Sequence, residues 1–110
     1  MSLDGRLDAT VVDDRVEFVF TVTNVGSEPI DLTFGSSQVA DVAVYEGGRE
    51  VWRWSEGQAF VQTVSEETLA PGESISHDAR WPDARPGRYS AVATLLAADA
   101  DVEARTDVAV

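Results

Sequence analysis

The 110-residue sequence contains no cysteine, no lysine and only one histidine. The lack of cysteine excludes disulfides, thiolate metal sites and cysteine nucleophiles. No segment approaches the roughly 20 consecutive apolar residues that a membrane-spanning helix needs. The opening MSLDGRLDATVVDDR has neither the basic start nor the apolar run of a secretion signal, so we expect a cytoplasmic protein.

Basic residues are scarce in a strongly acidic chain. Eight basic residues, all arginine, stand against 20 acidic ones, and the formal net charge at pH 7 is −12. This balance argues against binding to nucleic acid or to an anionic membrane, because no basic patch can be assembled. GC-rich coding explains arginine in place of lysine but not the acidic excess. A salt-rich cytoplasm explains that excess, since molar salt shortens the Debye length to about 3 Å, and we therefore expect a halophilic protein.

Segments with the period-two alternation of half-buried β-strands recur along the chain. In residues 16–24 the apolar positions share one face: Val16, Phe18, Phe20 and Val22. Further strands are predicted between turns rich in Gly, Pro, Asn and Asp, within 30–34, 39–46, 49–55, 74–81, 88–97 and 99–110. Residues 58–67 stay open, because they could contain a helical turn.

Seven to nine short strands with turns about every 8–12 residues are typical of an antiparallel immunoglobulin-like sandwich. The motif PGRY (86–89) supports this class, because such sandwiches often place a tyrosine corner at the start of a late strand. We therefore predict an all-β, antiparallel immunoglobulin-like β-sandwich of about 7–9 strands, in one domain spanning residues 1–110. Its core should contain Phe18, Phe20, Val22, Leu32, Phe34 and Tyr89.

The single histidine lies in the motif SISHDA, where serine, histidine and aspartate are close in sequence. Neighbouring residues of a strand point to opposite faces, so His77 and Asp78 diverge, and Ser76 lies on the side of Asp78. A catalytic triad needs convergent groups. We therefore expect His77 to be a sheet-face residue with a backbone or carboxylate partner.

The acidic residues show no metal-site spacing. Asp99, Asp101 and Glu103 alternate, but the glycine and bidentate glutamate offsets of a calcium loop are missing. A solvated acidic turn is expected there, and a hairpin tip at Asp13 and Asp14. We predict a protein that is not an enzyme and has no metal site and no cofactor.

The stretch EVWRWSEGQAF (50–60) contains two of the three tryptophans. Alternation places both indoles on one face of a strand. Two interpretations remain open: the indoles fill the core, or a half-exposed Trp-Arg-Trp edge leads into a protein-binding loop, since Trp and Arg are enriched in binding hot spots. The candidate protein-binding residues are Trp52, Arg53, Trp54, Ser55, Glu56, Gly57, Gln58 and Phe60.

Four motifs in order resemble the intracellular proteinase inhibitor family, BsuPI: FTVTNVGSEPIDLTF, VYEGGREVWRWSEGQAFVQ, LAPGES and PGRYSA. The most specific, W-R-W-S-x-G-x-x-F-x-Q, is carried by Trp52, Trp54, Ser55, Gly57, Phe60 and Gln62. The resemblance implies an immunoglobulin-like sandwich that inhibits an intracellular serine protease, without a cofactor. The expected partner is a subtilisin-like serine protease and the expected state a monomer. The alternative is an immunoglobulin-like interaction module with a non-protease partner.

Salt should stabilise the folded chain. The native state holds a net charge of −12 closer together than the unfolded state does, and salt screens the resulting repulsion. We expect the thermal unfolding midpoint to rise with sodium chloride, most steeply below about 0.5 M, where screening changes fastest. Melting curves from low to molar salt measure this effect. A flat melting temperature would contradict the halophilic interpretation.

Overall fold

The computed structural model describes residues 2–110, and within that range the chain forms nine β-strands and no helix. All strand pairs are antiparallel, which confirms the predicted all-β class. The strands are β1 (Leu3–Val12), β2 (Arg15–Asn24), β3 (Ile30–Phe34), β4 (Ala40–Glu46), β5 (Arg49–Arg53), β6 (Ser65–Leu69), β7 (Ser74–Trp81), β8 (Arg88–Leu95) and β9 (Glu103–Ala109).

The core lies between two main sheets, ordered β1-β2-β7 and β5-β4-β8-β9. Strands β3 and β6 form a further two-stranded sheet. A bridge between Phe34 and Ala97 and a 2.8 Å hydrogen bond from the Ala98 amide to the Thr33 carbonyl connect β3 to the segment after β8. The small sheet is continuous in sequence with the first main sheet, because β3 follows β2 and β6 precedes β7. Through the contacts of β3 with the segment after β8, it also joins the second main sheet.

The apolar face of β2 forms the centre of the core, as the alternation predicted. Its four apolar side chains are at most 1% exposed, and β7 is paired alongside them. A one-residue slip of the register would turn this whole face to solvent. All six residues predicted to be core are buried: Phe18, Phe20, Val22, Leu32, Phe34 and Tyr89.

Tyr89 forms the tyrosine corner that the PGRY motif predicted. Its hydroxyl donates a hydrogen bond to the carbonyl oxygen of Arg85 at 2.8 Å. Its ring stands edge-on to Trp81, with the centroids 4.8 Å apart. One side chain therefore fills the core and satisfies a backbone carbonyl at the entrance to β8.

The hairpin between β4 and β5 sets the register of the tryptophan-containing strand. Gly47 and Gly48 have φ values of +58° and +81°, the pair of left-handed conformations that a two-residue type I′ turn requires. The predicted tight turn is therefore confirmed. It returns the chain along β4, and a bulge between Tyr45 and Val44 then shifts the register by one residue, so that Trp52 rather than Val51 lies opposite Val44.

Asn24 is completely buried and joins the turn after β2 to the turn before β7. Its side-chain amide donates to the carbonyl oxygens of Leu69 at 2.9 Å and Glu28 at 2.8 Å. Its Oδ1 accepts from the Gly26 amide at 2.9 Å, and its own backbone amide donates to the Glu73 carbonyl at 3.0 Å. Buried polar groups need such partners, so this side chain holds both turns in place.

Several segments differ from the sequence-based expectations. Residues 58–64 have no regular secondary structure and β6 follows them, so the possible helical turn is absent. The strands predicted over 49–55 and 88–97 end earlier, at Arg53 and Leu95. Strand β1 was not predicted, although its burial alternates from Leu3 to Thr10; Leu7 is its one buried side chain.

Replacing Asn24 by alanine should destabilise the fold strongly. The substitution leaves the buried Leu69 carbonyl and its neighbours without a donor, and each unsatisfied buried group costs about 1–3 kcal/mol. We expect a loss of about 2–4 kcal/mol in urea denaturation. Ser27→Ala, an exposed change in the same turn, is the control and should cost less than about 0.5 kcal/mol. A loss below about 1 kcal/mol for Asn24→Ala would contradict this role.

Candidate functional site

Trp52 is part of the packing between the main sheets. Its half-buried indole stacks between Phe18 and Trp81, with centroid separations of 6.3 and 6.2 Å and interplanar angles of 19° and 29°. Offset stacking at such separations is favourable between aromatic rings. The structure therefore places Trp52 at the edge of the core, as a packing residue with one side still open to solvent.

Trp54 lies at the end of the same face and holds the loop that follows. Its indole meets the edge of the His77 ring, with centroids 4.3 Å apart, and packs against Phe60 at 5.7 Å. Its backbone amide continues the pairing beyond β5 by donating to the Val42 carbonyl at 2.9 Å. Trp54 thus anchors the β5–β6 loop, which we define as residues 54–64, to the sandwich.

The opposite face of the same segment is polar and converges on Asp41, a carboxylate that is only 8% exposed. Asp41 Oδ2 accepts from the guanidinium of Arg53 at 2.9 Å and from Ser55 Oγ at 2.7 Å. Its Oδ1 accepts from the Ser55 amide at 3.1 Å. A buried carboxylate is stable only when it is paired and hydrogen-bonded, and Arg53 and Ser55 supply those partners.

Arg53 bridges two carboxylates. Besides Asp41, it donates to Glu50 Oε1 at 3.0 Å from Nε and at 2.6 Å from a terminal nitrogen. These hydrogen bonds, to Glu50 first and then to Asp41, raise the pKa of Arg53 above its ordinary value. The guanidinium therefore stays charged at every accessible pH, so deprotonation of Arg53 does not break its ion pair with Asp41.

The turn after Arg53 presents the predicted exposed residues. The amides of Glu56 and Gln58 donate to the carbonyls of Arg53 and Ser55, both at 3.2 Å. Gly57 has a φ of +80°, a backbone conformation that favours glycine. The backbone angle, and not a lack of space, is what favours glycine here, because a Cβ at this position would meet no other atom. Glu56 and Gln58 are exposed, so the backbone of this turn is held in place while its side chains face solvent.

Phe60 and Gln62 complete the motif in different ways. Phe60 is half-buried against Trp54, whereas Gln62 is exposed. All eight candidate protein-binding residues therefore lie on one continuous stretch, in which four half-buried anchors, Trp52 to Ser55, precede the exposed Glu56 to Gln58, and the half-buried Phe60 follows.

His77 lies in this neighbourhood as a packing residue. Its ring meets Trp54, whereas Ser76 and Asp78 are exposed on the other side of β7, as strand alternation predicted. The prediction of a backbone or carboxylate partner for His77 is wrong for its Nε2 atom, which has no hydrogen-bond partner among residues 2–110. Burial lowers the pKa of His77, while the charges of Asp41 and Asp78 oppose that shift.

The other acidic residues considered as metal ligands lie in turns or on the surface. Asp99 accepts from the amide of Thr33 at 2.9 Å and from its hydroxyl at 3.1 Å, and the first of these bonds is the main cause of its lowered pKa. Asp101 and Glu103 are exposed, and Asp13 lies in the β1–β2 turn. Across residues 2–110, no group of three or more potential ligands is placed to hold a metal ion.

Sequence reasoning missed Asp41, although a signal was present. It is the only charged residue within the apolar run 39–45, most of which forms β4. A carboxylate within such an apolar run needs a partner when buried. The arginine and serine on the neighbouring hairpin strand were the available candidates.

The chain is similar to one protein family and, at low identity, to solved structures. A family model described as BsuPI, intracellular proteinase inhibitor, matches residues 3–100. The crystal structure of a CARDB domain from Pyrococcus furiosus, in complex with di-metal ions, is 20% identical, with a TM-score of 0.52 over 98% of this chain and 91% of that chain. The solution NMR structure of that domain is 21% identical, with a TM-score of 0.53 over 99% and 96%. No curated protein matches the chain.

The structural matches concern the fold alone, because their identities are low. They agree with the immunoglobulin-like sandwich predicted from the strand pattern, which is confirmed. Among the described residues there is also no helix of the length and apolar character needed to cross a bilayer.

The lowered pKa of His77 should make stability depend on pH. An unfolded histidine has a pKa of about 6.5, so between the two pKa values the unfolded state binds more protons and stability falls as the pH decreases. We expect the melting temperature to fall between about pH 7.5 and 5.5. His77→Phe keeps a ring against Trp54 but cannot titrate, and it should lose less over that range. Equal pH dependence in thermal melts of the two proteins would contradict the assignment.

Proposed function

The chain belongs to the intracellular proteinase inhibitor family, BsuPI, and on that basis we propose that it binds and inhibits an intracellular, subtilisin-like serine protease. The observation that carries the proposal is the match of the family model to residues 3–100. In this proposal residues 1–110 act as one non-enzymatic, monomeric domain, without a cofactor, in the cytoplasm of a salt-adapted cell.

The proposed contact surface is the end of β5 together with the first part of the β5–β6 loop. Its residues have two kinds of role. Half-buried side chains hold the surface in shape, through the aromatic contacts of the indoles and the bonds to Asp41. Exposed ones are free to meet a partner. The surface comprises Trp52, Arg53, Trp54, Ser55, Glu56, Gly57, Gln58 and Phe60.

The anchoring of this loop supports an inhibitory role. A loop that is ordered before binding loses less conformational entropy on association, which improves affinity. Many small inhibitors obtain that order from disulfides, but this chain has no cysteine. Here the bonds of Asp41 to Arg53 and Ser55, and the packing of Phe60 on Trp54, provide the order instead.

Titration of the purified chain into a subtilisin-type serine protease tests the activity. We expect a dose-dependent loss of hydrolysis of a chromogenic peptide, while the chain itself stays intact on a gel. A papain-type cysteine protease is the control for class and should keep its activity. If the serine protease also keeps its activity at every ratio, the alternative replaces the proposal: an immunoglobulin-like interaction module with a non-protease partner.

A double variant, Glu56→Arg with Gln58→Ala, tests the site in the same assay. Both residues are exposed, so the melting temperature should stay within a few degrees. Inhibition should weaken about tenfold, which corresponds to about 1.4 kcal/mol. Asp107→Arg makes a similar charge change on β9, at the opposite edge of the sheet from β5, and should inhibit normally. Normal inhibition by the folded double variant would move the contact to another loop, first NVGSEP or PDARPG.

A further inference from the structure

The β5–β6 loop continues beyond the motif into a segment with two very exposed valines. Val61 is 64% and Val64 is 71% exposed, and Val64 is the most exposed large apolar residue in the described chain. Single exposed apolar residues are ordinary on protein surfaces. Here two of them lie within four positions of a loop that directly follows the candidate site.

The backbone at the first valine is held in place although its side chain is exposed. The Ser37 amide donates to the Val61 carbonyl at 2.8 Å, and the Val61 amide donates to Ser37 Oγ at 2.9 Å. One residue earlier, Phe60 packs against Trp54. The start of the segment is therefore anchored, by the aromatic contact of Phe60 and by two hydrogen bonds at Val61.

The other end of the segment is anchored as well. Strand β6 begins directly after Val64, and its first residue, Ser65, pairs with Phe34 of β3. Within the segment the Thr63 amide donates to the Val61 carbonyl at 2.9 Å. Both ends are thus joined to the sandwich, and the side chains of Val61 and Val64 are displayed between them.

The sequence around this segment restricts the kind of protease that it fits. No lysine or arginine lies between Arg53 and Arg80. Proteases with an acidic specificity pocket, such as trypsin, select a basic side chain, whereas others have apolar pockets. The loop offers only apolar side chains and uncharged or acidic polar ones for such pockets.

We propose that Val61 and Val64 enter the substrate cleft of the inhibited protease and occupy its apolar side-chain pockets. This inference rests on the proposed function and extends the contact beyond Phe60. Pockets for individual side chains select such residues, and a turn segment held at both ends, with the Thr63 amide bonded to the Val61 carbonyl, loses less conformational entropy on entering a cleft. The protease is therefore one that prefers apolar side chains in its substrates.

The variant Val61→Gln with Val64→Gln tests the inference. Both positions are exposed, so the fold and the melting temperature should be retained. We expect the inhibition constant for a subtilisin-type protease to rise at least tenfold, which corresponds to about 1.4 kcal/mol. Val25→Gln, at an equally exposed valine in the turn after β2, is the matched control and should stay within about twofold. A trypsin-type protease should not be inhibited by the wild-type chain.

Amide hydrogen exchange of the wild-type chain provides a second test that needs no substitution in the segment. The probe is a subtilisin-type protease whose catalytic serine is replaced by alanine. We expect slower exchange of residues 61–64 in the complex. A complex without that protection, inhibition unaffected by the two glutamines, or equal inhibition of trypsin would each overturn the inference while leaving the proposed function standing. A wild-type chain that inhibits neither protease would overturn both.

Discussion

The geometry of the candidate site depends on the burial of one carboxylate, Asp41. An ionised carboxylate in a nearly closed environment is stable only with charged and hydrogen-bonding partners. Arg53 and Ser55 supply them, and in doing so they fix where β5 ends and where the chain turns away. The polar half of the motif is therefore explained by structure: arginine and serine two positions apart meet the same carboxylate from one face of the strand.

The aromatic half of the motif uses the other face of the same strand. Trp52 stacks between two core rings, and Trp54 contacts His77 and Phe60. Alternation thus lets a short strand carry two separate anchors, polar on one side and aromatic on the other. Between them they order a long loop in a chain without disulfides, and this order is what connects the fold to the proposed inhibition.

Features that depend on residues close together in the sequence could be predicted, whereas hydrogen bonds between distant residues could not. The core face of β2, the Gly47–Gly48 turn and the tyrosine corner each follow from patterns within a few residues. Asn24 bonds to Leu69 across 45 positions, and nothing local in the sequence indicates that pairing. The choice between core and surface for the tryptophans also had no local answer, because β5 is an edge strand and leaves both indoles half-buried. His77 was predicted to have a polar partner, but its ring packs against an indole whose position was unknown.

The central claim is that Asp41 holds the β5–β6 loop in the geometry that a partner binds. Amide hydrogen exchange of the variant Asp41→Asn, compared with the wild-type chain, tests this claim most directly. Asparagine keeps the shape of the side chain but loses the charge that pairs with Arg53. The amides of residues 55–61 should then exchange about tenfold faster, equivalent to about 1.4 kcal/mol of local stability, while those of β2 keep their protection. Unchanged exchange across residues 55–61 would contradict the claim.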